Sequence, residues 1–237
     1  MDNVEFAISK LETDRINNIS IINFIKNNKV LSVDIIGDSV LARGISDRRW
    51  VYISCRDKDE LGELKTRLSI DDNNFAAIED WMMPVLTEGR EIIWDLSTVR
   101  YYLPEYVQLP HPGIKTIPLT ENDSHTVFAN STYKEYISTE YAAERINKGI
   151  SAGVYVDDKL VSWAIIQDDG AIGFLHTLEK YRKKGYAYAI TLSMIEKLRS
   201  RNELPFAYAE ASNKRSIALL LKLGFKENKT IHWFELH

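Results

Sequence analysis

Three of the six prolines in this 237-residue chain, Pro104, Pro110 and Pro112, fall within nine residues, and Gly113 follows them. Proline fixes φ and removes an amide donor, so neither a helix nor an interior strand can run through Leu109-Pro110-His111-Pro112-Gly113. The stretch reads as an extended linker. It divides the chain into a domain over 1–110 and a second over 114–237, and each is large enough to fold at roughly 100 residues per domain. Hydrophobic residues make up 45% and charged residues 27%, the balance of a soluble globular protein with a real core.

Several classes of function drop out. No apolar run approaches the ~18 residues of a membrane span. The start, Met1-Asp2-Asn3-Val4-Glu5, is acidic and lacks the basic and apolar regions of a signal peptide. A single cysteine, Cys55, leaves no internal disulfide framework and no multi-cysteine metal site. The expectation is a cytoplasmic protein with no membrane partner and no metal. A net charge of −4 argues against nucleic acid as a partner.

In the N-terminal half, Leu11, Ile16, Ile19, Ile22 and Ile25 keep helical spacing and predict a helix over Asp14–Asn27. Leu31–Ile36, Ser39–Ile45 and Trp50–Cys55 read as strands separated by turns. Asp57 and Glu60 form a capping-box-like start for a helix running to Leu68. Glu91–Leu96 reads as a further strand, and the stretch from Ile70 to Gly89 is ambiguous. Trp50, Trp81 and Trp94 are expected in the core. No cluster of chemistry-bearing side chains stands out in this half.

The C-terminal half is more legible. Lys115–Leu119 predicts a strand, and Thr126–Tyr136 and Glu140–Lys148 predict helices. Strands Ser151–Val156 and Lys159–Gln167 meet at Asp157-Asp158, a hairpin signal. After the Asp168-Asp169-Gly170 turn comes a strand over Ala171–Thr177. A basic loop then leads into a helix over Gly185–Arg201, a strand over Pro205–Ala209, and a helix over Asn213–Leu223 closed by Gly224. One or two strands finish the chain. Hairpins that give way to a strand–helix–strand crossover define a mixed α/β (α+β) class.

The segment Thr177-Leu178-Glu179-Lys180-Tyr181-Arg182-Lys183-Lys184-Gly185-Tyr186-Ala187 joins a strand to a helix. A helix start exposes unpaired amides and a partial positive charge, which suits an anion. Gly185 permits close backbone approach, Ala187 keeps the next turn small, and Arg182, Lys183 and Lys184 add charge. A solvated basic turn is the plainer alternative. The segment is neither a P-loop nor a GxGxxG dinucleotide loop.

About 25 residues downstream lies Asn213-Lys214-Arg215-Ser216-Ile217-Ala218-Leu219-Leu220-Leu221-Lys222-Leu223-Gly224-Phe225. The two segments together resemble the GNAT superfamily of acyl-CoA-dependent N-acyltransferases over residues 114–237. Arg182-x-x-Gly185-x-Ala187 fits its [RQ]-x-x-G-x-[GA] signature, and the second segment fits its N-x-x-[AS]…G-F stretch. Ser162-Trp163 and Thr177-Leu178…Tyr181-Arg182 are similar to the FR47-like and glycine N-acyltransferase branch.

The resemblance implies a mostly antiparallel sheet flanked by helices, with acetyl-CoA or another short acyl-CoA as cosubstrate. Amides from Lys183 to Ala187, with Arg182, Lys184 and Tyr186 alongside, would hold the pyrophosphate. Leu175, Thr177 and Leu178 would pair with the pantetheine arm through their backbone. This strand would splay from Pro205–Ala209, and Asn213 would sit beside the CoA arm or simply cap its helix. Ile217, Leu220, Leu221 and Phe225 are expected in the core.

Two positions depart from the family. Many relatives place a glutamate where this chain has Ala171, and a tyrosine where it has Leu220. Glu210 and His176 are then the candidate catalytic residues, as base directly or through water; a solvated loop carboxylate and a packed strand histidine are the alternatives. Tyr208 and Tyr186 are potential proton donors with core positions as the alternative. The expected function is acyl transfer to a small primary amine, such as an amino-acid-like α-amine, by direct attack in a ternary complex. The competing expectation is a CoA-binding or sensing module that has lost turnover. The N-terminal half is either a degenerate GNAT-like copy or an unrelated α/β lid.

Overall fold

The computed structural model describes residues 2–131, 134 and 137–237. In chain order its elements are α1 (Asn3–Leu11), α2 (Arg15–Asn27), β1 (Lys29–Ile36), β2 (Ser39–Ile45), β3 (Arg49–Ser54), α3 (Lys58–Lys65), β4 (Asn74–Glu79), α4 (Met83–Leu86), β5 (Ile92–Tyr102), α5 (Ser124–Ala129), α6 (Thr139–Lys148), β6 (Ser151–Val156), β7 (Lys159–Ile166), β8 (Ile172–Thr177), α7 (Tyr186–Arg199), β9 (Phe206–Ala209), α8 (Lys214–Lys222) and β10 (Lys226–Leu236). The fold is mixed α/β. Among the described residues no helix is long and apolar enough to cross a membrane.

The chain forms two compact units that are discontinuous in sequence. The first comprises Met1–Arg100, Ala209–Asn213 and Glu227–His237; the second comprises Tyr101–Tyr208 and Lys214–Lys226. Each repeats one order of elements. In the first, β1, β2 and β3 pair antiparallel, α3 crosses over, and β4 lies parallel to β3. In the second, β6, β7 and β8 pair antiparallel, α7 crosses over, and β9 lies parallel to β8.

In the first unit, β10 pairs antiparallel with β4, with Ile231 opposite Glu79 and Phe234 opposite Phe75. Alternate residues of β2 and β3 feed two cores, because successive strand side chains face opposite ways. Val40, Ala42, Trp50 and Tyr52 pack with Ile22, Phe24 and Ile25 of α2. Leu41, Val51 and Ile53 pack with Leu61 and Leu64 of α3. Both faces are covered, so β2 is buried without a break from Ser39 to Gly44 rather than on alternate residues. Asp14 caps α2 by accepting from the Asn17 amide. The buried Arg43 is held by Asp72 at 2.9 Å and Asp34 at 2.6 Å.

In the second unit, Val127, Ala142, Ile146, Leu160, Trp163 and Ile165 form the core against which Phe174 and Leu178 pack. The Asp157-Asp158 hairpin has φ of 50° and 57°, the left-handed pair that a tight two-residue turn requires. Gly224 ends α8 at φ 87°, and a Cβ there would lie 2.9 Å from Val107.

Several expected elements take a different form. A helix precedes the expected first one, with Ala7 and Leu11 buried on it. The ambiguous stretch after Ile70 contains β4 and α4, and the strand expected over Glu91–Leu96 continues to Tyr102. Lys115–Leu119 makes only an isolated bridge, Ile117 to Gly153, because Pro118 has no amide to extend a ladder. The helix expected over Thr126–Tyr136 ends at Ala129; residues 132, 133, 135 and 136 lie outside the described residues. Leu221, expected in the core, is 54% exposed, since it falls on the outer face of α8.

Candidate functional site

The site is built on β8 and the start of α7. Ser162 and Trp163 of β7 stand opposite Thr177 and His176 of β8, and the register shifts before Ile165. Phe174 takes up the shift with φ 54°. Such a bulge bends its strand and re-aims the backbone. On its other edge β8 meets β9 at one pair, Ile172 to Ala207. The β8–β9 ladder is confined to that pair, and Leu175, Thr177 and Leu178 lie beyond it. Ser162 Oγ reinforces the inner edge, donating to the His176 carbonyl at 2.8 Å and meeting Thr177 Oγ1 at 2.7 Å.

The loop that follows places two residues in the left-handed region, Lys183 at φ 61° and Gly185 at φ 82°. Turns of this kind point successive amides into one concavity that binds anions. Gly185 is the N-cap of the 14-residue α7 and has no side chain with which to cover the first-turn amides. Those amides have no intrahelical acceptor, and the helix start carries partial positive charge. Arg182, Lys183, Lys184 and Gly185 are exposed, while Tyr186 and Ala187 are partly covered. Arg182 Nε donates to the Thr177 carbonyl at 3.1 Å and fixes the loop to the strand. Lys180 and Lys184 lie 5.1 Å and 5.3 Å from the Tyr181 ring centre. A pyrophosphate suits this donor set.

The corresponding crossover helix of the first unit is closed. Asp57 caps α3, and its carboxylate accepts from the amides of Asp59 and Glu60 at 3.0 Å each. Glu60 turns away from the cap and bonds Ser39 Oγ. The helix start is therefore already occupied by an anionic side chain, which would also repel a phosphate.

The remaining expected residues divide between the units. His176 lies on β8 and stacks on Trp163 with ring centres 4.9 Å apart. Burial, with Arg182 nearby, pushes its pKa below the ordinary imidazole value, so the ring is held neutral near pH 7. Glu210 and Asn213 belong to the Ala209–Asn213 segment of the first unit. There the Asn213 amide donates to the Glu210 carbonyl at 2.9 Å. Ala171 and Leu220, where the resemblance would place the family's catalytic side chains, are 0% and 5% exposed. Neither offers chemistry.

The structure also joins a pair that the sequence reading does not. Tyr208 of β9 donates to Asp169 Oδ2 across 39 residues of chain. Asp169 is 2% exposed, and its Oδ1 accepts from the Ala171 amide at 3.1 Å. The adjacent Asp168 accepts from the Tyr141 hydroxyl at 3.1 Å, and Tyr141 packs on Phe174. In sequence, Asp168-Asp169-Gly170 looks only like a turn. A buried carboxylate becomes visible once β9 places a phenol beside it.

Comparison with known proteins bears on the fold. Residues 148–234 match the FR47-like protein family model. A Drosophila protein of known structure has the same fold, with a TM-score of 0.84 at 16% identity over 99% of this chain and 95% of that one. A GCN5-related N-acetyltransferase from Kribbella flavida has a TM-score of 0.58 at 11% identity, covering 93% and 94% of the two chains. A tandem GNAT protein of the clavulanic acid biosynthesis pathway has 0.52 at 11% identity, covering 92% and 87%. No curated protein matches the sequence. The fold is the one shared by these GCN5-related N-acetyltransferase structures. The family match lies in the second half of the chain, and over the rest the likeness to these structures is one of fold.

Proposed function

We propose that this protein transfers an acetyl or other short acyl group from acyl-CoA to a small primary amine. The observation that carries this reading is the uncapped, glycine-started amide cluster of α7 beside β8, whose ladder with β9 is confined to one pair. The pyrophosphate rests on the amides of Lys183 to Ala187. The pantetheine runs along Leu175, Thr177 and Leu178, which supply backbone pairing and polarise the thioester carbonyl. CoA binds once per chain, because Asp57 closes the equivalent helix start of the first unit. That unit is a second GNAT-like copy that has lost its anion loop.

The acceptor is an amine that is partly neutral at pH 7. An ε-amine with pKa near 10.4 is neutral in roughly one part in 2,500, and an α-amine near 8 in about one part in ten. The difference costs on the order of 3 kcal/mol at about 1.4 kcal/mol per pH unit. With Ala171 and Leu220 at the family's catalytic places, the weaker base is the better substrate. The test is an acceptor screen at pH 7 with acetyl-CoA. Free amino-acid α-amines are expected to outpace lysine side chains blocked at Nα, and the reverse order would overturn the acceptor assignment. The same two apolar positions favour a second reading, a CoA-sensing module. Thermal stabilisation by CoA without product from any amine would select it.

A further inference from the structure

We propose that the proline-rich segment 104–116 is a strap that walls one side of the acyl-donor site, with Ile114 as the residue that meets the bound cosubstrate beside its pyrophosphate. This rests on the acyl-transfer reading above and gives a place in the site to a stretch that the sequence reads only as a linker.

Three observations carry it. The first is that the segment is bound to α7. Arg199, the last residue of that helix, donates from Nη1 to the Val107 carbonyl at 2.8 Å and from Nη2 to the Pro104 carbonyl at 3.0 Å. His111 Nδ1 meets Glu196 Oε1 at 2.7 Å, and Thr116 Oγ1 donates to Ser193 Oγ at 2.8 Å. Ser193, Glu196 and Arg199 follow one another at i, i+3 spacing, so the anchors lie along one side of the helix. Pro110 and Pro112 fix φ between them. The segment therefore holds one course against the helix whose start would carry the pyrophosphate.

The second is where that course brings Ile114. Its Cδ1 lies 3.7 Å from the point that a Cβ on Gly185 would occupy. Among the described residues, Gly185 and its two chain neighbours aside, no other atom comes within 4 Å of that point. The space over Gly185 is open, and Ile114 borders it. A donor laid on the α7 amides fills that space and touches Ile114.

The third is the chemistry around it. Lys115, Arg182, Lys183 and Lys184 are exposed, whereas Ile114 is partly buried. An uncharged branched side chain makes no polar contact with a phosphate. Standing beside one, it keeps water away and lowers the local dielectric, which strengthens the hydrogen bonds given by the loop amides.

The experiment measures CoA affinity by calorimetry in wild type, Ile114→Asp and Ile114→Lys, with thermal unfolding of the same samples. A carboxylate at this position is expected to raise the CoA Kd about tenfold, and an ammonium to lower it severalfold. The gap between the two variants is expected to close as salt is raised. A strap that only props the helix would respond alike to both changes, because each replaces the same apolar side chain with a charged one. Equal Kd shifts in the two variants, zero included, overturn the proposal and leave acyl transfer standing. If either variant does not fold, amide exchange on the wild-type chain decides. CoA is expected to slow exchange over Gly113–Thr116 about fivefold or more, and unchanged exchange there overturns the assignment. Wild type that binds no CoA overturns this inference together with the acyl-transfer reading.

Discussion

Replacing Gly185 isolates the anion site from the rest of the fold. At φ 82° an L side chain pays about 1–2 kcal/mol for the left-handed backbone. Crowding adds little, because the nearest atom to an added Cβ is Ile114 Cδ1 at 3.7 Å. For a chain of this size that amounts to a melting point lower by about 2–8 °C, so Gly185→Ala should remain folded. The effect on CoA should be larger. In the proposed binding mode the new Cβ stands where the pyrophosphate would meet the α7 amides, and losing two charge-assisted bonds forfeits about 3–6 kcal/mol. At 1.4 kcal/mol per tenfold, that is a CoA Kd raised about 100-fold or more. Gly185→Val should abolish detectable binding. Calorimetry with CoA, beside thermal unfolding of the same samples, separates the two effects. Folded Gly185→Val with wild-type CoA affinity would refute placement of the pyrophosphate on this loop.

Three further outcomes follow from the same geometry. Titration should give one CoA equivalent per chain, and Asp57→Ala should cost about 1 kcal/mol of stability through loss of its cap without changing CoA affinity; two equivalents would contradict the closed α3 start. Burial raises the Asp72 carboxyl, but the Ser69 amide, Arg43 and Arg49 outweigh it and leave its pKa below the ordinary carboxylate value. Its stabilisation is therefore complete above the ordinary value of 3.8 and is lost as pH falls through the lower native value; Asp72→Asn should cost about 3 kcal/mol by removing one of the two carboxylates that hold buried Arg43, and acid unfolding identical to wild type would contradict this. His176, pushed down by burial and then by Arg182, should titrate below 6.5 in an NMR experiment; its contribution to stability is present above 6.5 and drains as pH falls through the native value.

Features set by local chemistry were legible in the sequence. The Asp157-Asp158 hairpin, the Asp57 cap, the Gly224 helix end and the Arg182-x-x-Gly185-x-Ala187 loop each depend on residues within a few positions. Features set by pairing at a distance were not. The strand β4 could not be distinguished because its partners, β3 and β10, lie far off in sequence. The proline stretch lies within the second unit, and nothing local to it reveals that Glu227–His237 returns to the first unit. Tyr208 is a potential proton donor in the sequence, but its bond to Asp169 is not legible there because it depends on β9 lying parallel to β8. Ile117 misled by its β-branched neighbours, and Pro118 decided the outcome.

The most direct test of acyl transfer at this site is mass-spectrometric detection of product, with thiol release followed in parallel, from acetyl-CoA and a panel of small primary amines. The account predicts an N-acetylated amine formed in equal amount to free CoA, with both lost in Gly185→Val. Thiol release that is independent of amine, or no acetylated product from any amine in a protein that binds CoA, would contradict it.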